Sequence, residues 1–262
     1  MSRPGARSPS LAAALAAALL ASATARAALP DEIQVYTDDL TKPGERGLEL
    51  HVNTTPKGLR TPEYPGAVPT RHGLRVTPEF SWGITKDTDI GVYLPTVMDQ
   101  HGNLYLPGVK VRARWLPLRG GEAGGVYAGA NVELSNLLPK FSQSRSNAEL
   151  RLILGWKSPE WTLGVNPIFG RARSPGQGAG NPDFSTAWKA SRTIAHGLAL
   201  GGEYYAGTGR LGHPLPADRQ DRTFYLTLDI DRAPWVFNIG IGRGLTGATD
   251  PWTVKAIFEV QF

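Results

Sequence analysis

The chain has no cysteine among its 262 residues. No disulfide framework can hold the fold together, and no acylated cysteine can tether it. It contains no run of about 20 apolar residues, the length a membrane-spanning helix needs. No cluster of Lys and Arg offers a nucleic-acid surface, so no nucleic-acid partner is expected. A G-x-S-x-G nucleophile elbow and a His pair at metal-ligand spacing are both missing, which leaves no catalytic, metal or cofactor assignment. Stretches of 3.6-residue periodicity are absent as well, which argues against a helical fold.

What is present begins with an export signal. Met1–Ser10 carries Arg3 and Arg7, Leu11–Ala23 is a short apolar run, and Ala25-Arg26-Ala27 has the A-x-A cleavage pattern. Residues 1–27 are therefore expected to be removed during export. Without Arg3, Arg7 and Arg26, the 28 basic residues fall to 25 against 23 acidic ones, so the mature chain is nearly neutral. About 235 residues remain, enough for one or two domains.

Those residues alternate apolar and polar in one segment after another, the period of a β-strand. Twelve segments emerge: Leu48–Asn53, Gly73–Gly83, Asp89–Val97, Gly108–Leu116, Gly125–Leu134, Asn147–Trp156, Trp161–Phe169, Phe184–Ile194, Leu198–Ala206, Thr223–Asp231, Trp235–Ile241 and Trp252–Phe262. In the last, Trp252, Val254, Ala256, Phe258, Val260 and Phe262 share one face, while Thr253, Lys255, Glu259 and Gln261 share the other. Ile257 alone breaks the pattern.

A water-soluble β-sandwich alternates too, but three features favour a barrel in lipid. The polar face carries charge in mid-strand, at Glu49, Arg75, Glu79, Lys110, Arg112, Arg114, Glu133, Glu149, Arg151, Lys189, Glu203, Asp229, Lys255 and Glu259. Short connections follow even-numbered strands and mostly longer ones follow odd-numbered strands, as in outer-membrane barrels. All seven tryptophans lie on the apolar face. Five of them, Trp82, Trp115, Trp156, Trp161 and Trp235, flank the short turns, where a girdle at the headgroup level would place them. The expected fold is an all-β, closed antiparallel transmembrane barrel of about 12 strands over residues 47–262. Lipid covers its apolar face, and closure pairs every backbone polar group.

The signal peptide, the amphipathic strands and a last strand ending in Phe262 resemble Gram-negative outer-membrane β-barrel proteins. That resemblance implies an outer-membrane location, contact with outer-membrane lipids and lipopolysaccharide, and a C-terminal strand read by the barrel-assembly machinery through Trp252, Phe258, Val260 and Phe262. Gly176–Ser191 also resembles the G-x-G-D-x-x-x-G strand entry of outer-membrane channels encoded with phenol meta-cleavage pathways, with Asn181-Pro182-Asp183 interrupting the pattern.

Pro78, Pro95 and Pro167 fall inside strands, so bulges or earlier strand ends are expected there. Residues 28–46 read as an acidic periplasmic segment. Its Ile33 and Val35 either add a short strand or enter the barrel mouth as a plug; otherwise the segment is a tail.

The lumen would be lined by the charged residues above with His51, Tyr93, Tyr127, Tyr205 and Tyr225. Arg112 and Arg114 are expected to pair with Glu133, and Arg151 with Glu149. The tyrosines suit an aromatic or sugar-like solute, or simply fill space. Twelve strands lie between side-chain-filled barrels and open porins, so a narrow or gated channel for small solutes is the expected function. The alternatives are a lipid-modifying hydrolase, built on His51, Ser81 and Glu49 or Glu79 if the register allows, and a non-conducting structural or adhesive barrel.

Overall fold

The structure, a computed structural model, describes residues 31–121, 123–174 and 180–262. The expected export signal, residues 28–30 and part of the Gly176–Ser191 motif lie outside the described residues. The strands in chain order are β1 (Arg46–Lys57), β2 (Leu74–Thr85), β3 (Thr88–Tyr93), β4 (Thr96–Met98), β5 (Leu104–Tyr105), β6 (Gly108–Leu118), β7 (Gly125–Leu137), β8 (Ser146–Lys157), β9 (Trp161–Ala172), β10 (Asp183–Ala195), β11 (Leu198–Arg210), β12 (His213–Pro214), β13 (Asp221–Arg232), β14 (Trp235–Gly244) and β15 (Trp252–Gln261).

Twelve of these positions form a closed ring. Each strand pairs antiparallel with its chain neighbour, and β15 returns to β1 from Gly47↔Gln261 to Lys57↔Trp252. β3 and β4 together make one stave, while the two-residue strands β5 and β12 lie off the ring, on β4 and β11. All twelve alternating segments of the sequence become staves. Closure leaves no bare edge, the condition for β-structure in hydrocarbon.

The apolar residues face outward. Phe80, Val111, Val132, Leu226 and Ile241 are exposed on the outer wall, as are all seven tryptophans. Ile257 is the exception explained: it points inward and is buried, as are Leu116 and Ile153.

The prolines act where an N–H is missing from the ladder. Leu94-Pro95 splits the third stave into β3 and β4, opposite Pro78 of β2, and the Leu94 N–H reaches the Pro78 carbonyl at 3.0 Å. Pro167 keeps its strand but interrupts the β8–β9 pairing between Arg151↔Ile168 and Leu154↔Val165.

Inward-facing glycines make room for their neighbours' large side chains. A Cβ on Gly155 would stand 2.2 Å from the Tyr127 ring and hydroxyl, and one on Gly242 would stand 2.4 Å from the Tyr225 ring. Gly155→Ala is expected to displace Tyr127 and destabilise the barrel by about 1–3 kcal/mol, as overpacking does, read as a lower urea midpoint of the refolded protein.

On the long-loop side, Asp99 closes the turn between β4 and β5. It accepts hydrogen bonds from the backbone N–H of His101 (2.8 Å) and Asn103 (2.9 Å), the Asn103 amide (2.9 Å) and the Tyr105 hydroxyl (3.1 Å). The Asn103 amide is the largest of the effects that hold its carboxyl down to about 2. Because the folded value is depressed, the turn's stabilisation is present above the ordinary carboxylate range and is lost only as the pH falls towards 2.

Candidate functional site

The lumen is filled by the chain's own N-terminal segment. Residues 31–45 run inside the barrel from the short-turn end, where Arg46 begins β1, towards the long-loop end. At the short-turn end the Gly44 N–H reaches the Gly83 carbonyl at 3.0 Å. The Thr41 hydroxyl meets Ser81 at 2.7 Å, and the Thr41 N–H reaches Asp89 at 3.2 Å. Lys157 pairs with Asp38 at 2.6 Å.

Half-way up, the Asn166 side chain clamps the backbone of Tyr36. It accepts from the Tyr36 N–H at 2.7 Å and donates to the Tyr36 carbonyl at 3.0 Å. One amide thus satisfies both main-chain groups of a residue that has no strand partner. The Tyr36 hydroxyl meets that of Tyr93 at 2.8 Å, and Arg151 stacks over the Tyr36 ring at 4.5 Å.

Higher still, Lys255 donates to the Ile33 carbonyl at 2.9 Å and Arg151 to the Gln34 carbonyl at 3.3 Å. Gln34 donates to Glu49 at 3.1 Å. Lys110 faces Asp31 at 3.2 Å and Glu32 at 3.8 Å, and Asn53 donates to the Asp31 carbonyl at 3.0 Å. Tyr36 and Leu40 also pack with Leu116, Tyr127 and Ile153 in a small apolar core inside the barrel. That core is why three staves carry inward apolar residues. Described residues 31–45 are therefore a plug rather than a segment outside the barrel.

The residues read from the sequence as lumen-facing point inward, and the structure sorts them by partner. Glu49, His51, Arg75, Glu79, Tyr93, Lys110, Arg112, Arg114, Tyr127, Glu133, Arg151, Glu203, Tyr225 and Lys255 are buried. Glu149, Lys189, Tyr205, Asp229 and Glu259 are partly exposed.

The expected Arg112–Glu133 and Arg114–Glu133 pairs do not form. Lys110 takes Glu133 at 2.9 Å, Arg112 goes to Glu79 and Asp89, and Arg114 goes to Asp89. The register does set Arg112 opposite Glu133. However, the long arginine side chains reach the other way, across β3, where Gly91 leaves space for the Arg112 guanidinium. Arg151–Glu149 forms as expected, at 3.1 Å. A second cluster joins Lys189 to Asp229 (2.8 Å) and Glu203 (3.4 Å), with Lys255 also on Glu203.

All four inward tyrosines are committed to internal bonds: Tyr93 to Tyr36, Tyr127 to the Leu163 carbonyl at 2.9 Å, Tyr205 to Glu203 at 2.6 Å, and Tyr225 to Thr253. The Ser81–His51 pairing needed for a hydrolytic triad is not made. His51 stands opposite Thr77 and reaches Glu79 at 3.3 Å, whereas Ser81 stands opposite Gly47 and bonds Thr41. Four residues of strand, roughly 13 Å, separate the two positions.

Sequence reasoning missed Asp89, Asn166, Glu32 and Tyr36 as site residues. Asp89 has the same parity as Tyr93, and Asn166 lies on a polar face, so each one's face was legible. Their partners were not.

Asn166→Leu removes the clamp on the Tyr36 backbone and leaves two buried polar groups unpaired, a cost of about 1–3 kcal/mol each. It is expected to loosen the plug without unfolding the barrel, read as faster chymotryptic cleavage after Tyr36 and Leu40 while the barrel fragment persists.

A closed twelve-stranded antiparallel barrel with an apolar exterior and a polar, occupied lumen has the architecture of an outer-membrane β-barrel. Solved structures of that kind resemble it. An outer-membrane channel from Pseudomonas putida F1 is similar over 88% of this chain and 100% of its own, at 13% identity and a TM-score of 0.55. The KdgM porin in complex with disordered oligogalacturonate covers 82% and 98% at 11% identity and a TM-score of 0.46. The NanC porin covers 83% and 98% at 10% identity and 0.47. No family model and no curated protein matches the sequence.

Proposed function

We propose that this protein is an outer-membrane channel for small solutes whose resting lumen is closed by its own residues 31–45. The observation that carries the reading is how the plug is held. Beyond Pro43–Glu45, which bridge to Gly83 at the short-turn end, its described backbone makes no strand ladder with the wall. Instead it rests on separate side-chain contacts from Asn166, Lys255, Arg151 and Asn53, each replaceable by water when the segment moves. The likeness to the outer-membrane channel fold supports the same reading.

In this reading the solute is small and polar, because the wall beside the plug offers both charge signs (Lys189, Glu203, Asp229) and the Tyr205–Tyr225 pair. Trp82, Trp115, Trp156, Trp161 and Trp235 anchor the barrel at the periplasmic headgroup level. Trp252, Phe258, Val260 and Phe262 on β15 serve the assembly machinery, and lipopolysaccharide meets the long-loop end.

The test is reconstitution of the refolded mature chain in planar bilayers. Small, flickering steps are expected. Electrical silence accompanied by cleavage of phospholipid or lipid A would move the assignment to a hydrolase, and silence alone would move it to a structural barrel.

A further inference from the structure

One cluster in the wall is not used by the plug's backbone contacts. Glu49 and His51 are two residues apart on the inner face of β1, and Glu79 stands directly opposite Glu49 on β2. One ligand atom from each lies within 4.8 Å of the other two, and all three residues are buried. His51 Nε2 is 3.3 Å from a Glu79 oxygen and 3.9 Å from a Glu49 oxygen. Two donors bound to one zinc-class ion at about 2.0–2.2 Å stand roughly 3–3.5 Å apart, so the set needs only a small contraction to hold one.

Three further observations point to a cation. Glu79, Glu49 and Glu259 form one rung across β2, β1 and β15, with like charges directly opposite, an arrangement that destabilises a sheet unless something neutralises it. Arg112 occupies Oε1 of Glu79, whereas Oε2 has only a long hydrogen bond to His51 Nε2, at 3.3 Å, which an ion between the two atoms would replace. Gln34 of the plug already donates to Glu49 Oε2, and its own Oε1 is buried with no hydrogen bond. Half a turn of that amide would offer a fourth oxygen to an ion placed between the strands.

We propose that Glu49, His51 and Glu79 form a binding site for a divalent transition-metal ion of the zinc class, closed from the plug side by Gln34. One imidazole with two carboxylates suits zinc, cobalt or nickel better than calcium, which takes oxygen donors. An ion there joins β1, β2 and the plug at one point. The inference concerns the wall's own residues and does not depend on whether the barrel conducts.

The experiment uses the full mature chain, refolded in detergent and stripped with a chelator. Zn²⁺ is titrated by calorimetry, and Co²⁺ by visible absorption and X-ray absorption. One saturable site per chain is expected, with a Co²⁺ spectrum of four or five N/O donors that include one imidazole. His51→Ala and Glu49→Gln are each expected to weaken Zn²⁺ at least tenfold, while His101→Ala, on a loop, leaves it unchanged. The proposal is overturned if no saturable binding occurs, if binding survives His51→Ala, or if Co²⁺ remains six-coordinate with water. Should His51→Ala fail to refold, the Co²⁺ spectrum of the unaltered chain and the Glu49→Gln titration decide the matter alone.

Discussion

Deleting residues 28–45 is expected to turn a small, flickering conductance into a steady one several-fold larger. Residues 31–45 occupy the lumen from the Gly83 end to Lys110, and their removal takes no strand out of the ring, since β1 begins at Arg46. What remains is a twelve-stranded wall with the inward charges of Lys110, Arg151, Lys189, Glu203 and Lys255 facing water instead of the plug. Those side chains keep wall partners (Glu133, Glu149, Asp229 and each other), so the barrel tolerates the loss.

A tether tests the same idea in the opposite direction. A Cβ built on Gly164 lies 3.4 Å from a methyl carbon of Val35, so Val35→Cys with Gly164→Cys places two thiols near disulfide reach. The chain has no cysteine of its own, so the only disulfide that oxidation can form within one chain is this one. Oxidation is expected to suppress conductance and reduction to restore it. If the deleted and tethered proteins conduct like the unaltered one, the plug is not the gate.

The second large effect is on stability. Asp89 is wholly buried and holds Arg112 and Arg114 together. Its oxygens accept from Arg112 Nη1 and Arg114 Nη2 (2.5 Å each), from Arg114 Nε at 3.0 Å, and from the Thr41 N–H at 3.2 Å. Asp89→Ala leaves Arg112 on Glu79 and leaves Arg114 buried without the acid it is bonded to. Breaking a buried pair from one side costs about 3–5 kcal/mol, because the abandoned charge stays desolvated. The expected results are a strongly lowered urea midpoint, or failure to refold, judged by the heat-modified mobility of the barrel.

Asp87, two residues away in the turn, supplies the control. Its ion pairs with Lys86 and Arg119 are long, at 3.7 and 3.9 Å, and partly exposed. Asp87→Ala should therefore change stability by less than about 1 kcal/mol. Equal effects at the two positions would mean that the arginine pair is not the central electrostatic knot of the wall.

Particular residues show where local pattern ends and tertiary placement begins. Alternation is a local property with a period of two, and it assigns a face to the residues of each strand, such as Glu49 or Glu259, without knowledge of any partner. Lipid on one side and water or plug on the other then make that assignment binding, because a one-residue slip would put charge into hydrocarbon. The twelve staves, their closure with both ends on one side, the short turns and the outward tryptophans were determined in this way by the sequence alone.

Partner identity belongs to the tertiary structure. His51 and Ser81 share a face and neighbouring strands, yet the β1–β2 register sets them four residues apart. Arg112 is paired in register with Glu133, yet it reaches past Gly91 to Glu79. Asn166 meets Tyr36, and Arg151 meets Glu32, across more than 100 residues of chain. Such meetings depend on barrel closure and shear, and on a segment of weak pattern, Asp31–Glu45, finding the one polar interior that satisfies its backbone. Only once the ring has closed does that interior exist, and so only the folded barrel decides that these residues fill it.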